Sequence, residues 1–139
     1  MNPSFVIDSS MAMAWCFPDE TTPKTAELLD RMDTESAAVP AWWFLEITNV
    51  LALAERKGRL TPAQVAGFIA LVGRFDLDLD TCAPGRAFSH ILPLCRSHGL
   101  TSYDAAYLEL ALRRQLPLAS PGEDLRAAAT TLGVKVLGK

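Results

Sequence analysis

Three acidic side chains stand in apolar stretches where charge is unexpected, and together they could hold a divalent cation. Asp8 follows the run Phe5-Val6-Ile7 and precedes Ser9-Ser10. Glu46 is the only charge in A-W-W-F-L-E-I-T-N-V-L-A-L-A, from Ala41 to Ala54. Asp104 lies in Ser102-Tyr103-Asp104-Ala105-Ala106-Tyr107-Leu108. Each also has an ordinary structural explanation. Asp8 before two serines can cap a helix. Glu46 can be a part-exposed acid near a helix start, and Asp104 a first-turn acid behind Ser102 as cap, both favoured by the helix dipole. If the three converge instead, unpaired carboxylates repel and raise one another's pKa. A divalent cation removes that cost, and all-oxygen ligands favour Mg²⁺ or Mn²⁺ over zinc. One or two such ions can drive phosphodiester hydrolysis without His or Cys, by acidifying a water and neutralising charge on the phosphate. Ser9 and Asn49, the latter on the face of Glu46, would be neutral helpers that orient a carboxylate or a water.

Other chemistries lack their marks. Cys16, Cys82 and Cys95 are odd in number and form no C-x-x-C pair, so they read as small buried hydrophobes in a reducing cytosol. His90 and His98 would lie about 12 Å apart along one helix, too far to share a metal. No G-x-G-x-x-G, Walker loop or G-x-S-x-G occurs. With 139 residues, 50% hydrophobic and 21% charged, the composition is that of one compact soluble domain spanning 1–139. No stretch of eighteen apolar residues occurs and the start lacks a signal-peptide pattern, so the expectation is a cytoplasmic protein without a membrane role. A net charge of −3 excludes a broadly basic coat for duplex binding, though not a locally gripped nucleic acid.

The elements that must position the acids follow from caps and stops. A buried strand over 5–7 leads into a helix over 11–17 that ends at Pro18, and a second helix covers 22–35. A brief strand at 37–39 precedes an apolar helix over 41–57, stopped by Gly58. Apolar residues run all round that helix, so much of it should be buried. Thr61-Pro62 starts a helix to about Arg74. Leu77, Leu79 and Thr81 alternate with Asp78 and Asp80 as a strand with one wet face. A helix over 86–97 closes at Gly99, with a kink or break at Pro93, and another spans 102–115. Residues 116–120 form a fourth strand, 124–132 a last helix and 134–137 a fifth strand. Short strands alternating with helices imply a parallel sheet covered on both faces, whose ligands gather at the strands' carboxyl ends near a switch in strand order.

Val6-Ile7-Asp8-Ser9-Ser10, Trp43-Phe44-Leu45-Glu46-Ile47-Thr48-Asn49 and Leu100-Thr101-Ser102-Tyr103-Asp104-Ala105-Ala106-Tyr107-Leu108 together resemble the motifs of PIN-domain ribonucleases. The VapC toxins of bacterial toxin–antitoxin pairs are the subgroup most similar, and the resemblance spans essentially the whole chain. It implies a three-layer α/β/α sandwich with a central parallel sheet of about five short strands. It also implies a Mg²⁺- or Mn²⁺-dependent endoribonuclease with Asp8, Glu46 and Asp104 as its metal-binding, catalytic acids and Ser9, Asn49 and Ser120 as polar neighbours. A homodimer and a small cognate antitoxin are the implied protein partners, with apolar residues left exposed on the 41–57 helix available to them. For the RNA substrate, Lys57, Arg59, Arg56 and the Arg113-Arg114 pair are candidate phosphate contacts, and Trp15, Trp42 and Tyr103 candidate stacking partners. Solvated helix ends and core packing are the commoner uses of such residues.

One position departs from the family pattern. In Leu118-Ala119-Ser120-Pro121-Gly122-Glu123-Asp124-Leu125, Gly122 stands where a fourth acid is usual. Either Glu123 or Asp124 swings in as the fourth acid, or three acids suffice, or metal binding is weakened. The alternative to an enzyme is a catalytically weak PIN-like module that binds RNA or protein. Glu123 and Asp124 also fit as ordinary first-turn acids of the last helix.

Overall fold

The three residues Phe5–Ile7 (β1) are wholly buried, which is what an unbroken apolar run requires of a strand inside a parallel sheet. In the computed structural model, which describes residues 2–139, β1 is followed by helices α1 (Ser9–Cys16) and α2 (Pro23–Arg31), then β2 (Ser36–Pro40). Helices α3 (Trp43–Arg56) and α4 (Pro62–Val72) lead to β3 (Asp76–Asp80). Next come α5 (Ala83–Arg86), a π-helical turn (Ala87–Ile91), α6 (Leu92–His98) and α7 (Ser102–Arg114). Strand β4 (Leu118–Ala119), helix α8 (Glu123–Thr131) and β5 (Val136–Leu137) complete the order. All strand pairs are parallel, in the order β3-β2-β1-β4-β5. The fold is therefore the helix-covered parallel sandwich expected from the alternation of strands and helices.

Strand order reverses at β1: the chain moves outward through β2 and β3, then crosses back to β4 and β5. Val6 pairs with Ala38 on one side and Leu118 on the other, so β1 and β4 end side by side. Asp8 follows the first of these ends and Ser120 the second. Such a switch point leaves a crevice at the carboxyl ends of the strands.

Sequence signals set most helix boundaries. Thr22 and Thr61 each form a capping box, with Pro at the start of the helix that follows. Gly58 and Gly99 take φ of 72° and 65°, the left-handed region in which a residue without Cβ ends a helix cheaply. The expected break at Pro93 takes a specific form. Proline offers no N–H to the Ser89 carbonyl, and the preceding turn widens so that the Leu92 N–H bonds to Ala87 O, five residues back. The second helix ends at Arg31 rather than at residue 35, and Arg31 pairs with Glu35 beyond the helix end (2.6 Å).

Two expectations about burial are corrected. Cys82 is exposed and Cys16 and Cys95 are only half-buried, so they are not all core hydrophobes. Helix α3 buries Trp43, Ile47, Leu51 and Ala54 but leaves Phe44, Leu45 and Leu53 exposed. Its i, i+4 stripe faces the core, and apolar residues on the other side face solvent. Three sequence-read phosphate contacts are also committed elsewhere. Arg113 makes a bidentate pair with Asp80 (2.9 and 3.0 Å) and reaches Glu109 (2.9 Å), while Arg114 holds Asp78 (2.8 Å). Arg59 lies over the Phe17 ring and bridges Asp19 and Glu20. Arg56 and Lys57 remain exposed. Trp15 is a packing residue, with Nε1 donating to Thr25 O (2.7 Å) and the ring edge-on to Phe75. Among the described residues no helix is long and apolar enough to cross a membrane.

Candidate functional site

Asp8 occupies the turn between β1 and α1, where it caps the helix. Its backbone N–H continues the sheet to Ala119 O (3.1 Å), and its Oδ1 accepts from Met11 N–H (2.7 Å) as the helix cap. The residue is only 4% exposed. Burial pushes its carboxyl up to about 7, opposed by the Ser120 hydroxyl and the Met11 N–H and reinforced by the charges of Asp104 and Glu46. The three acids, far apart in sequence, are thus close enough to sense one another.

Glu46 lies half-buried in the first turn of α3, and its Oε1 accepts from the Tyr107 hydroxyl (2.6 Å). Asp104 lies half-buried in the first turn of α7. The cap of α7 is Thr101 rather than Ser102: Thr101 Oγ1 accepts from Asp104 N–H (3.2 Å), and Ser102 is the first helical residue. Burial raises the Asp104 pKa, and the charge of Asp124 adds to that. Asp124 therefore borders this acidic group, whereas the exposed Glu123 turns toward Lys139 (3.5 Å).

The neutral residues separate in the same way. Ser120 is wholly buried beyond β4, its Oγ accepting from Gly122 N–H (3.1 Å). Ser9 opens α1, and its N–H donates to the Tyr107 hydroxyl (3.2 Å). Asn49 is exposed on α3. At Gly122, which begins α8 with an ordinary φ of −68°, an added Cβ would lie 3.4 Å from Ser120 Oγ and 4.0 Å from Leu125 Cβ. A side chain fits there.

Tyr107 has a part that its sequence did not reveal. It is 1% exposed, and its hydroxyl joins the start of α1 to Glu46 on α3 from a position one turn beyond Asp104. Burial and then the adjoining Glu46 carboxylate raise its pKa, so the hydroxyl stays a donor. The available signal was a polar-tipped ring among Ala105, Ala106 and Leu108, since a buried Tyr hydroxyl usually needs a partner. Tyr107→Phe is expected to lower stability by about 1.5–3 kcal/mol, the range for a hydrogen bond to a charged group. Urea unfolding measures this, and a change below about 0.5 kcal/mol would show that the hydroxyl tethers nothing.

Among the described residues, neither Asp8, Glu46, Asp104 nor Asp124 pairs with a Lys, Arg or His side chain. Nor do any three His, Cys, Asp or Glu side chains there stand close enough to cage a metal ion. Mutually repelling carboxylates without a protein cation suit a hard divalent ion, and Mg²⁺ commonly takes one or two carboxylates and keeps several waters. The donor set fits an ion of that kind rather than one enclosed by protein.

No protein-family model and no curated protein matches the chain in sequence. Solved structures do match in fold. PAE2754 from Pyrobaculum aerophilum superposes with a TM-score of 0.70 at 21% identity, over 98% of this chain and 92% of that one. FitAcB from Neisseria gonorrhoeae superposes with a TM-score of 0.57 at 19% identity, over 95% of each chain. These likenesses extend nearly end to end and concern the fold, which is PIN-like.

Proposed function

We propose that this chain is a divalent-metal-dependent endoribonuclease of the PIN-domain, VapC type, acting as the toxin of a toxin–antitoxin pair. The supporting observation is the convergence of Asp8, Glu46 and Asp104 at the switch point, charges coupled and unpaired by any protein cation. The toxin assignment rests on the three motifs. Asp8 and Asp104 would hold Mg²⁺ or Mn²⁺ directly, with Glu46 facing the ion's retained waters and Asp124 at their border. The bound ion supplies Lewis acidity and an acidified water for hydrolysis of a phosphodiester. The chain's own groups do the positioning. Tyr107 fixes the Glu46 carboxylate, and the Met11 N–H and the Ser120 hydroxyl favour the charged form of Asp8.

Cleavage of a labelled single-stranded RNA by the purified chain tests this proposal. Activity should appear with Mg²⁺ or Mn²⁺, stop on chelation and return when metal is restored. No cleavage with either ion would overturn it.

Gly122 favours a second reading, a PIN-like module that binds RNA or protein with little catalysis. Gly122→Asp tests whether the missing acid weakens metal binding. Its backbone suits a helix cap and its Cβ has room, so the variant should fold at least as stably as the parent. An added carboxylate beside Ser120 should tighten Mn²⁺ binding on the order of tenfold, because ligand charge sets affinity at such sites. Calorimetric titration measures it, and an unchanged affinity would show that this position does not border the metal.

Protein partners have a surface available. Phe44, Ile47, Leu51, Val65, Phe68 and Ile69 line a groove of about 660 Å³ between α3 and α4. At its rim Phe44 and Ile69 are exposed, and an apolar rim of this kind suits a second copy or an antitoxin. The proposed setting is the cytoplasm.

A further inference from the structure

Any RNA held at these acids meets a chain in which much of the arginine charge is already engaged, although Arg56 and Lys57 stay exposed. Phosphate contacts from Lys and Arg ordinarily supply most sequence-independent affinity. Here Arg31, Arg59, Arg86, Arg113 and Arg114 are engaged by carboxylates, and Arg126 donates to the carbonyls of Ser120 and Leu137. The net charge is −3. Binding energy must come partly from elsewhere.

An aromatic series leads from solvent to the acids. Tyr103, immediately before Asp104, is 57% exposed. Its ring meets Trp42 edge-on, with centroids 5.3 Å apart and planes at 72°. Trp42 in turn meets Tyr107 edge-on at 5.1 Å, and the Tyr107 hydroxyl holds Glu46. Trp42 therefore braces Tyr103 from the protein side while leaving more than half of the residue open. A Tyr side chain offers a large flat surface at low entropic cost, all the more when already propped in place.

We propose that Tyr103, braced by Trp42, is a stacking platform for an unpaired base of the RNA whose phosphate lies at the acids. This inference rests on the endoribonuclease function proposed above. A duplex keeps its bases stacked within the helix and cannot use the platform, whereas a single strand can turn a base out onto an aromatic ring. Tyr103 thus selects single-stranded substrate and tolerates sequence, since every base has a π-face.

The test is equilibrium binding of a short oligoribonucleotide carrying a fluorescent purine analogue at each position in turn, with Ca²⁺ present to hold cleavage off. The parent chain should bind the single strand more tightly than the matched duplex and quench the analogue at one position. Tyr103→Ala should weaken single-strand binding by about 5- to 100-fold, abolish the quench and leave duplex binding unchanged. Tyr103→Phe, which keeps the ring, should restore both. Circular dichroism verifies that the variants fold, as expected for an exposed side chain. If Tyr103→Ala binds and cleaves the single strand as the parent does, the platform is refuted while the nuclease function stands. If the parent neither binds nor cleaves RNA, the proposed function itself is refuted.

Discussion

Asp8→Asn is expected to lower metal-dependent RNA cleavage by at least about 100-fold while making the metal-free chain more stable above pH 7. Removing a group one shell away from a metal commonly costs about 10- to 100-fold in affinity or activity. A carboxylate at the ion should cost no less. Stability moves the other way because Asp8 is ionised at an energetic cost. Its carboxyl is raised from 3.8 to about 7, chiefly by burial. Below pH 3.8 the group is protonated in both folded and unfolded chains. Between the two values the folded chain holds a proton that the unfolded chain releases, so stability falls as pH rises across that window. Above pH 7 the whole penalty is present, on the order of 4 kcal/mol. Asn caps a helix as well as Asp does and carries no such penalty. The melting temperature of Asp8→Asn should therefore exceed that of the parent at pH 8 in chelator, and the gap should close toward pH 4. Equal melting at pH 8 would show that Asp8 is not held at a cost.

Glu109→Ala has the largest expected effect on folding. Glu109 is 4% exposed and pairs with Arg86 beside the π-helical turn and with Arg113, which in turn grips Asp80 at the end of β3. One buried carboxylate thereby ties α7 to α5 and supports the arginine that grips β3. Removing one partner of a buried ion pair typically costs about 3–5 kcal/mol, because the remaining charges lose their compensation. Arg86 and Arg113 keep side-chain exposures of 30% and 22%, so partial rehydration should hold the loss to about 3 kcal/mol. The urea midpoint should fall with an unchanged slope. A loss under about 1 kcal/mol would show that the network stabilises no more than a surface pair does.

The order of elements was legible because its punctuation is local. A capping threonine before proline, a glycine in the left-handed region and an apolar triplet each act within one or two turns. What escaped the sequence depends on partners distant along it. Apolar residues round α3 gave no sign that Leu45 would face solvent and Trp43 the core. The Arg113-Arg114 pair looked available for phosphate until the fold set Asp80 and Asp78 opposite. Asp8, Glu46 and Asp104 could each be singled out by their apolar settings, but their mutual approach follows from the strand reversal at β1. Tyr107 escaped because its tether joins residues 98 and 61 positions away. Of Glu123 and Asp124, adjacent and alike in type, only the helix's orientation separates one that meets Lys139 from one that borders Asp104.

A net charge of −3 is a weak guide to the ligand once the acids are seen together. Carboxylates that repel one another in a crevice invite a cation, and a bound cation reverses the local field where a phosphate would sit. The most direct measurement is anomalous diffraction from crystals soaked in Mn²⁺. The acids as arranged predict an anomalous peak within coordinating distance of Asp8 and Asp104, facing Glu46, that vanishes in Asp8→Asn. A well-ordered crystal with no peak there, or with Mn²⁺ bound only at unrelated surface acids, would contradict a metal centre at the end of β1.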